Sequence, residues 1–443
     1  MRHHNLLLAV ALALGAALSV HAQTNGVNSS YSRFGMGLLC DPSQAAGRSM
    51  GGVGQGLRSG GRINTLNPAS YSAVDSITFL FDVGMSLSRT AMVQTGTRQV
   101  AHNAAFDYVS ASYRLAPRLG MALGFRPFSK IGYNFSQDSG VTTDAVSGDE
   151  IRQSLEYAGS GGVNECFAGV GWQPFRKGFF SSFSIGANVG FMWGEIVNAT
   201  VQSFIVDGDK ASSGFSSLST LYDSQPRTWK ADFALQFRHV LNPKNRLTVG
   251  ATVGIGHVIN CDAKMLRISN SGDSIISSTS NAYELPMTYN VGVGWEYAER
   301  LLVAADFTFE QWSECQTPQL QIKGNDVRYD PATGGYSNRM RFCLGAEYVP
   351  ARYDRAYFRR INYRLGANYT SPYLKINGQD GPSEYGVTAG VGLPVLSARS
   401  YINVGLQWVH RKPSVSTMIT ENIYCINLGV TFNERWFQKW KFR

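Results

Sequence analysis

"SFSIGANVGFMWG", residues 182–194, decides how the chain is read. Phe183, Ile185, Ala187, Val189, Phe191 and Trp193 fall on one side of an extended backbone, and Ser184, Gly186, Asn188 and Gly190 on the other. A period of two belongs to a strand, whose successive side chains point to opposite faces. The same alternation returns in "SITFLFDVGMSLS" (76–88), "NRLTVGATVGIGH" (245–257), "YELPMTYNVGVGWEY" (283–297) and "RLLVAADFTFEQW" (300–312). The polar face is built from Gly, Ser, Thr and Asn rather than Lys and Glu, and the apolar face ends in Trp and Tyr. A soluble sandwich would show water a charged face. A membrane barrel shows lipid its apolar and aromatic residues and keeps small polar ones for the lumen. The expected fold is therefore all-β, a transmembrane antiparallel barrel; a soluble all-β protein is the alternative.

Composition agrees. Gly 47, Tyr 21 and Phe 24 with only 16% charged residues suit many strands, tight turns and aromatic belts. No apolar run is long enough for a membrane-crossing helix. The net charge of +9 suits anionic outer-membrane lipid or lipopolysaccharide better than nucleic acid, which an exported chain rarely meets. Export itself is read from Arg2, the apolar stretch Leu6 to Val20 and the "VHA" site ending at Ala22, so residues 1–22 are expected to be a signal peptide.

Counting alternating segments and their turns gives about fourteen strands, near 77–88, 104–115, 119–136, 151–172, 180–204, 227–241, 245–260, 283–297, 300–313, 339–349, 360–375, 385–395, 399–411 and 421–432. "GSGG" (159–162) is a potential break in the fourth. An even number returns both termini to the periplasm and puts the longer connections 138–150, 205–226, 261–280 and 314–338 outside. The last strand closes on Phe432, like the terminal signal that outer-membrane assembly recognises.

Residues 23–75 precede the barrel (76–432) and lack a core of their own. Their glycines, Gly51 to Gly61, match no phosphate-loop motif. A segment of this kind at the mouth of a glycine-lined lumen is expected to fold inside it as a plug that includes Asn67 and Pro68, with Pro68 stiffening its exit into the first strand. A disordered periplasmic leader is the alternative. Irregular backbone at membrane depth is tolerated only within protein or a wet cavity.

A signal, a plug carrying "NPAS" (67–70) and about fourteen strands together resemble the FadL/OmpP1/TodX outer-membrane transporters. So do "ELPMTYNVGVGWEY" (284–297), "LLVAADFTFEQWS" (301–313), "RMRFCLGAEYVP" (339–350) and "YRLGANYTSPY" (363–373), in that order. The resemblance implies uptake of hydrophobic molecules, long-chain fatty acid-like, past a plug and out sideways through the wall.

A fatty acid needs a cation for its carboxylate, because a buried unpaired carboxylate is costly. Alternation turns Asp82, Arg126, Glu165, Lys230, Asp232, Arg238, Glu296, Asp306, Glu310, Arg341, Glu347 and Arg364 into the lumen. Arg238, Arg341 and Arg364, with Lys230 behind them, are the ligand-binding candidates; internal ion pairing is the other use for each. Pro127 is the lateral-gate candidate, since a closed barrel has no free edge where a missing N–H is harmless. The bland reading puts it at a turn beyond the bilayer.

No enzyme is expected. "GRSMG" (47–51) matches a nucleophile elbow in letters only, without the strand and helix that would support it. No cofactor and no metal site is expected; the six cysteines show no CxxC spacing. The basic aromatic tail 433–443 suits the inner interface of the membrane or a periplasmic protein partner. That tail keeps a second class of function open: a non-transporting barrel subunit or adaptor of an outer-membrane secretion or assembly complex.

Overall fold

The computed structural model describes residues 26–435, except 77, 95, 144–149, 207–208, 211–216, 270–271, 324–325 and 396–398. The expected signal peptide and residues 436–443 of the expected tail lie outside them.

Fourteen antiparallel strands close on themselves. They are β1 (Thr78–Gln94), β2 (Thr97–Ala116), β3 (Leu119–Thr143), β4 (Glu150–Trp172), β5 (Phe183–Val206), β6 (Arg227–Asn242) and β7 (Asn245–Gly254). β8 (Thr288–Tyr297), β9 (Leu301–Glu310), β10 (Arg339–Tyr348), β11 (Asn362–Thr370), β12 (Ser383–Val395), β13 (Ser400–Lys412) and β14 (Thr420–Arg435) follow. The ladder from Thr78↔Arg435 to Val93↔Thr420 joins the last strand to the first. All fourteen expected segments are strands of this wall. Alternation sets the faces: Val189, Phe191, Phe233, Leu235, Leu344 and Leu365 are exposed outward, while Ser184, Asn188, Gln236 and Asn403 are buried inward. A closed barrel with lipid-facing apolar strands is an outer-membrane protein.

Strand lengths differ from the expectation at the outer end. β1 to β5 are far longer than a bilayer needs, and β5 continues beyond β6 by pairing with Leu218–Ser224. The "GSGG" stretch does not break β4. Gly161 and Gly162 take φ of 116° and 138° and the ladder to β5 continues through them. Only residues without Cβ hold such angles cheaply.

Residues 26–75 run down through the lumen. The segment begins at the outer end, where Ser29 Oγ donates to Glu421 Oε1 (2.6 Å) and Tyr31 OH to the Ile419 carbonyl. It ends at the periplasmic side in a 3-10 turn, Pro68–Ala73, capped by the Asn67 side chain accepting from Ala69 N–H (3.1 Å). Along the way it touches inward residues of strands all around the wall: Asn188, Gln236, Asp306, Arg341, Glu347 and Thr388. The wall glycines make room for it. A Cβ on Gly186 would strike Pro68 and Ala69, one on Gly250 the Gln55 carbonyl, and one on Gly366 the backbone of Met50 and Gly51. Over the outer mouth the loops share a core with the segment, in which Met36 joins one cluster with Trp312, Tyr336 and Tyr373, whose rings contact one another.

Candidate functional site

Two features of the lumen bear on function: its charges and a gap in its wall. The charges come first. Alternation places all twelve expected charges inside, on β1, β3, β4, β6 and β8 to β11, where wall residues pair with one another and the segment brings counter-ions to Arg341 and Glu347. Arg341 Nη2 donates to Asp41 Oδ2 at 2.6 Å. Arg364 donates through Nε to Glu347 Oε2 (2.7 Å) and through Nη1 to Asn403 (2.7 Å). Glu347 also takes both arms of Arg62, at 2.7 and 2.9 Å. Lys230 lies 2.8 Å from Asp232 and 3.8 Å from Glu165, which itself pairs with Arg126 at 3.0 Å. Arg238 meets Glu296 at 3.8 Å and donates to the Arg58 carbonyl (2.5 Å).

Each of the four ligand candidates is thus partnered within the chain. Paired, hydrogen-bonded charges are the state in which burial is tolerable. Asp41 and Arg62, the partners supplied by the segment, were beyond sequence reasoning because nothing local marks their depth in the barrel. Asp41 shows what the pairing does. Burial alone raises its carboxyl, but Arg341 and Arg48 outweigh burial and hold it at about 2.

The spaces that remain are small, with linings of mixed character. One, of about 150 Å³, is lined by Arg126, Glu165, Lys230 and Arg341 on one part and by Leu39, Leu66, Pro127, Phe128, Leu285 and Trp312 on another. Another, of about 130 Å³, lies at the periplasmic end among Arg58, Arg62, Arg238, Glu296 and Glu347. Both fall short of the volume of an ordinary small-molecule pocket, on the order of 300 Å³ or more. Ser49 of "GRSMG" bonds back to the Ala45 carbonyl (2.9 Å) inside the segment.

The gap lies where Pro127 was singled out. β2 and β3 pair from Ala116↔Leu119 up to Val109↔Phe125, and there the ladder stops. On the other side of β3 the register to β4 shifts between Pro127 and Ser129, leaving Phe128 as a bulge. Pro127 lies within the strand and not at a turn. It offers no N–H, and the bulge after it turns the strand away from β2. From there outward, β3 pairs instead with the segment: Leu38↔Lys130 and Leu39↔Ser129. Cys40 N–H donates to the Phe128 carbonyl and Ser29 N–H to Gly132, both at 2.9 Å. Gly26 lies against Ala104 and Ala105 of β2. The N-terminal segment therefore fills a seam in the wall as well as the lumen. Sequence reasoning found the proline and missed the strand that covers it, since two leucines before a cysteine carry no signal of their own.

A model of the BamG family matches residues 4–443. The chain belongs to the BamG family. No curated protein matches it in sequence. In fold, this BamG-family barrel resembles the Pseudomonas putida toluene transporter TodX (TM-score 0.57, 15% identity, covering 90% of this chain and 100% of that one). It likewise resembles a Pseudomonas aeruginosa FadL homologue (0.57, 12%, 88% and 98%). The Ralstonia pickettii toluene transporter TbuX is a third (0.54, 16%, 92% and 99%). The expected likeness to FadL and TodX is met at the level of the fold, and TodX and TbuX are named as transporters rather than enzymes.

Proposed function

We propose that this protein passes hydrophobic small molecules across the outer membrane, is closed while the segment covers the β2–β3 seam, and releases them sideways through that seam. It is not an enzyme in this reading. The observation that carries it is the seam itself: a wall whose ladder ends at Phe125 and is completed by a two-residue strand, Leu38–Leu39, of a segment not otherwise part of the wall. Two register pairs with the flanking Cys40 and Ser29 bonds are a small barrier beside a full strand ladder. The named functions of TodX and TbuX support the ligand class. Residues 23–75 act as the plug, with Asn67 and Pro68 holding its exit. Ion pairing bears on the ligand. A carboxylate has to displace Asp41 from Arg341, or Glu347 from Arg364, whereas an uncharged molecule displaces neither.

A tether tests it. Leu38 and Lys130 face each other in the ladder, so Leu38→Cys with Lys130→Cys, in a chain whose native cysteines are replaced, brings two thiols within bonding reach. Uptake of a lipophilic fluorescent probe by cells carrying this protein should stop on oxidation and return on reduction. Equal uptake in both states would remove the seam from the route.

A second reading is favoured by the paired luminal charges and the small volume of the internal spaces. In it the barrel does not transport and serves as a subunit of an outer-membrane secretion or assembly complex. Native mass spectrometry from mild detergent separates the two. A retained apolar ligand, weakened by Arg341→Ala or Arg364→Ala, supports passage; a retained protein that leaves when residues 433–443 are deleted supports the complex.

A further inference from the structure

The connection between β10 and β11, residues 349–361, faces the periplasm and holds three aromatic side chains in solvent. Tyr353 is 86% exposed, Phe358 75% and Tyr357 41%. Exposed aromatics of this density are unusual for a loop that is itself well tied. Asp354 accepts from Ala356 N–H (3.0 Å) and pairs with Arg359 (2.8 Å), and Ala351 N–H donates to the Arg359 carbonyl (2.8 Å). Arg360 lies over the Tyr357 ring at 5.5 Å, and Tyr363 OH donates to the Phe358 carbonyl (3.1 Å). These bonds fix the knob's shape without covering its rings. Four arginines, 352, 355, 359 and 360, stand against the single Asp354.

We infer that this knob is a docking site for an acidic periplasmic protein, with Tyr353 and Phe358 as its anchors and Arg355 and Arg359 as its charged contacts. The inference rests on the second reading above, a barrel that belongs to a complex. Preformed Tyr, Phe and Arg side chains are the composition of interface hot spots, and a rigid shape lowers the entropy lost on binding. A lipid surface is the lesser fit. The aromatic girdle at this end of the wall is already supplied by Tyr348 and Tyr363, exposed on the outer face of β10 and β11. The knob instead starts beneath the lumen: Val349 is buried with its N–H on the Arg300 carbonyl (2.7 Å), and Arg352 lines the periplasmic space.

The test is a photo-crosslinking residue placed at Tyr353 or at Phe358 in the full-length protein in its own outer membrane, with Leu406 on the lipid face as control. The expected result is one discrete protein adduct shared by both positions and absent at Leu406. Its yield should fall roughly tenfold or more in Arg355→Glu/Arg359→Glu, as for the loss of paired interface charges. Heat-modifiable gel mobility shows that the variant barrel is folded. Lipid adducts alone, a dimer of this chain, no adduct, or an adduct unaffected by the charge reversal would overturn the proposal. If a partner still co-purifies with the charge-reversed protein, the complex stands and the knob is not its contact. If nothing co-purifies with the unmodified protein, the reading beneath it fails as well.

Discussion

Lys130 of β3 reaches across the seam to Asp107 of β2, with Nζ 3.7 Å from Oδ1 and 3.1 Å from the Phe106 carbonyl. It does so above the point where the backbone ladder between these two strands has ended. Asp107 is also held from within by Arg48 at 2.6 Å. Side chains and the N-terminal segment thus close together what the backbones leave open.

The two substitutions that cut this link should differ. Lys130→Gln leaves Asp107 with Arg48, so stability should fall little and the seam should leak more lipophilic probe. Asp107→Asn takes a carboxylate from Arg48 as well, leaving it the Ser43 and Asp41 carbonyls (3.0 and 2.7 Å), and removing one partner of a buried pair costs on the order of 3 kcal/mol or more. The temperature at which the barrel loses its compact gel mobility should therefore drop further for Asp107→Asn than for Lys130→Gln. Equal shifts would mean that the two carbonyls and the nearby Asp41 carboxylate suffice for Arg48.

Glu347 is the shared anion of Arg62 and Arg364. Glu347→Gln leaves two neighbouring guanidiniums without their carboxylate and should destabilise the folded barrel more than either Arg62→Gln or Arg364→Gln. Refolding yield into detergent and the gel-mobility transition both report it.

Gly186→Val should expel the segment while sparing the wall. Its Cβ would meet Pro68 and Ala69, which are backbone neighbours that cannot swing aside. Trypsin should then cut at Arg58 or Arg62, sites protected in the unaltered protein, with the barrel remaining resistant. Unchanged protection would show that the 3-10 turn can shift.

Acid should loosen the segment late. Asp41 has its carboxyl held at about 2, below its ordinary 3.8, so its pairing with Arg341 contributes fully above that ordinary value and is lost as pH falls through about 2. Protection of Arg58 and Arg62 from an acid-tolerant protease should accordingly be unchanged between pH 7 and pH 4 as far as this pair is concerned. Loss of protection within that interval in the unaltered protein, but not in Asp41→Asn, would contradict the assignment.

Much of the wall was legible because one rule, alternation, governs it from Phe79 to Phe432. The same rule put all twelve charges inside. It fell short where its premise lapses. The outer halves of β1 and β2, "RTAMVQ" (89–94) and "TRQVAHN" (97–103), rise above the lipid and need no apolar face, so their alternation fades. The hairpin Thr317–Lys323 with Asp326–Ala332 lies in a loop for the same reason. Leu38 and Leu39 form a strand only because Pro127 frees an edge ninety residues away, and Asp41 finds Arg341 only once both are inside one tube. Those facts belong to the assembled molecule.

The glycines of the wall carry a further meaning. Gly120, Gly171, Gly186, Gly250, Gly345 and Gly366 are the places where the segment's backbone presses closest, so the inner surface of the barrel is a cast of the chain that precedes it. A cast and its content have to change together. A segment transplanted from a relative should fit poorly unless the glycine positions travel with it. The barrel, in turn, should mature around a strand of chain made before any of its own staves.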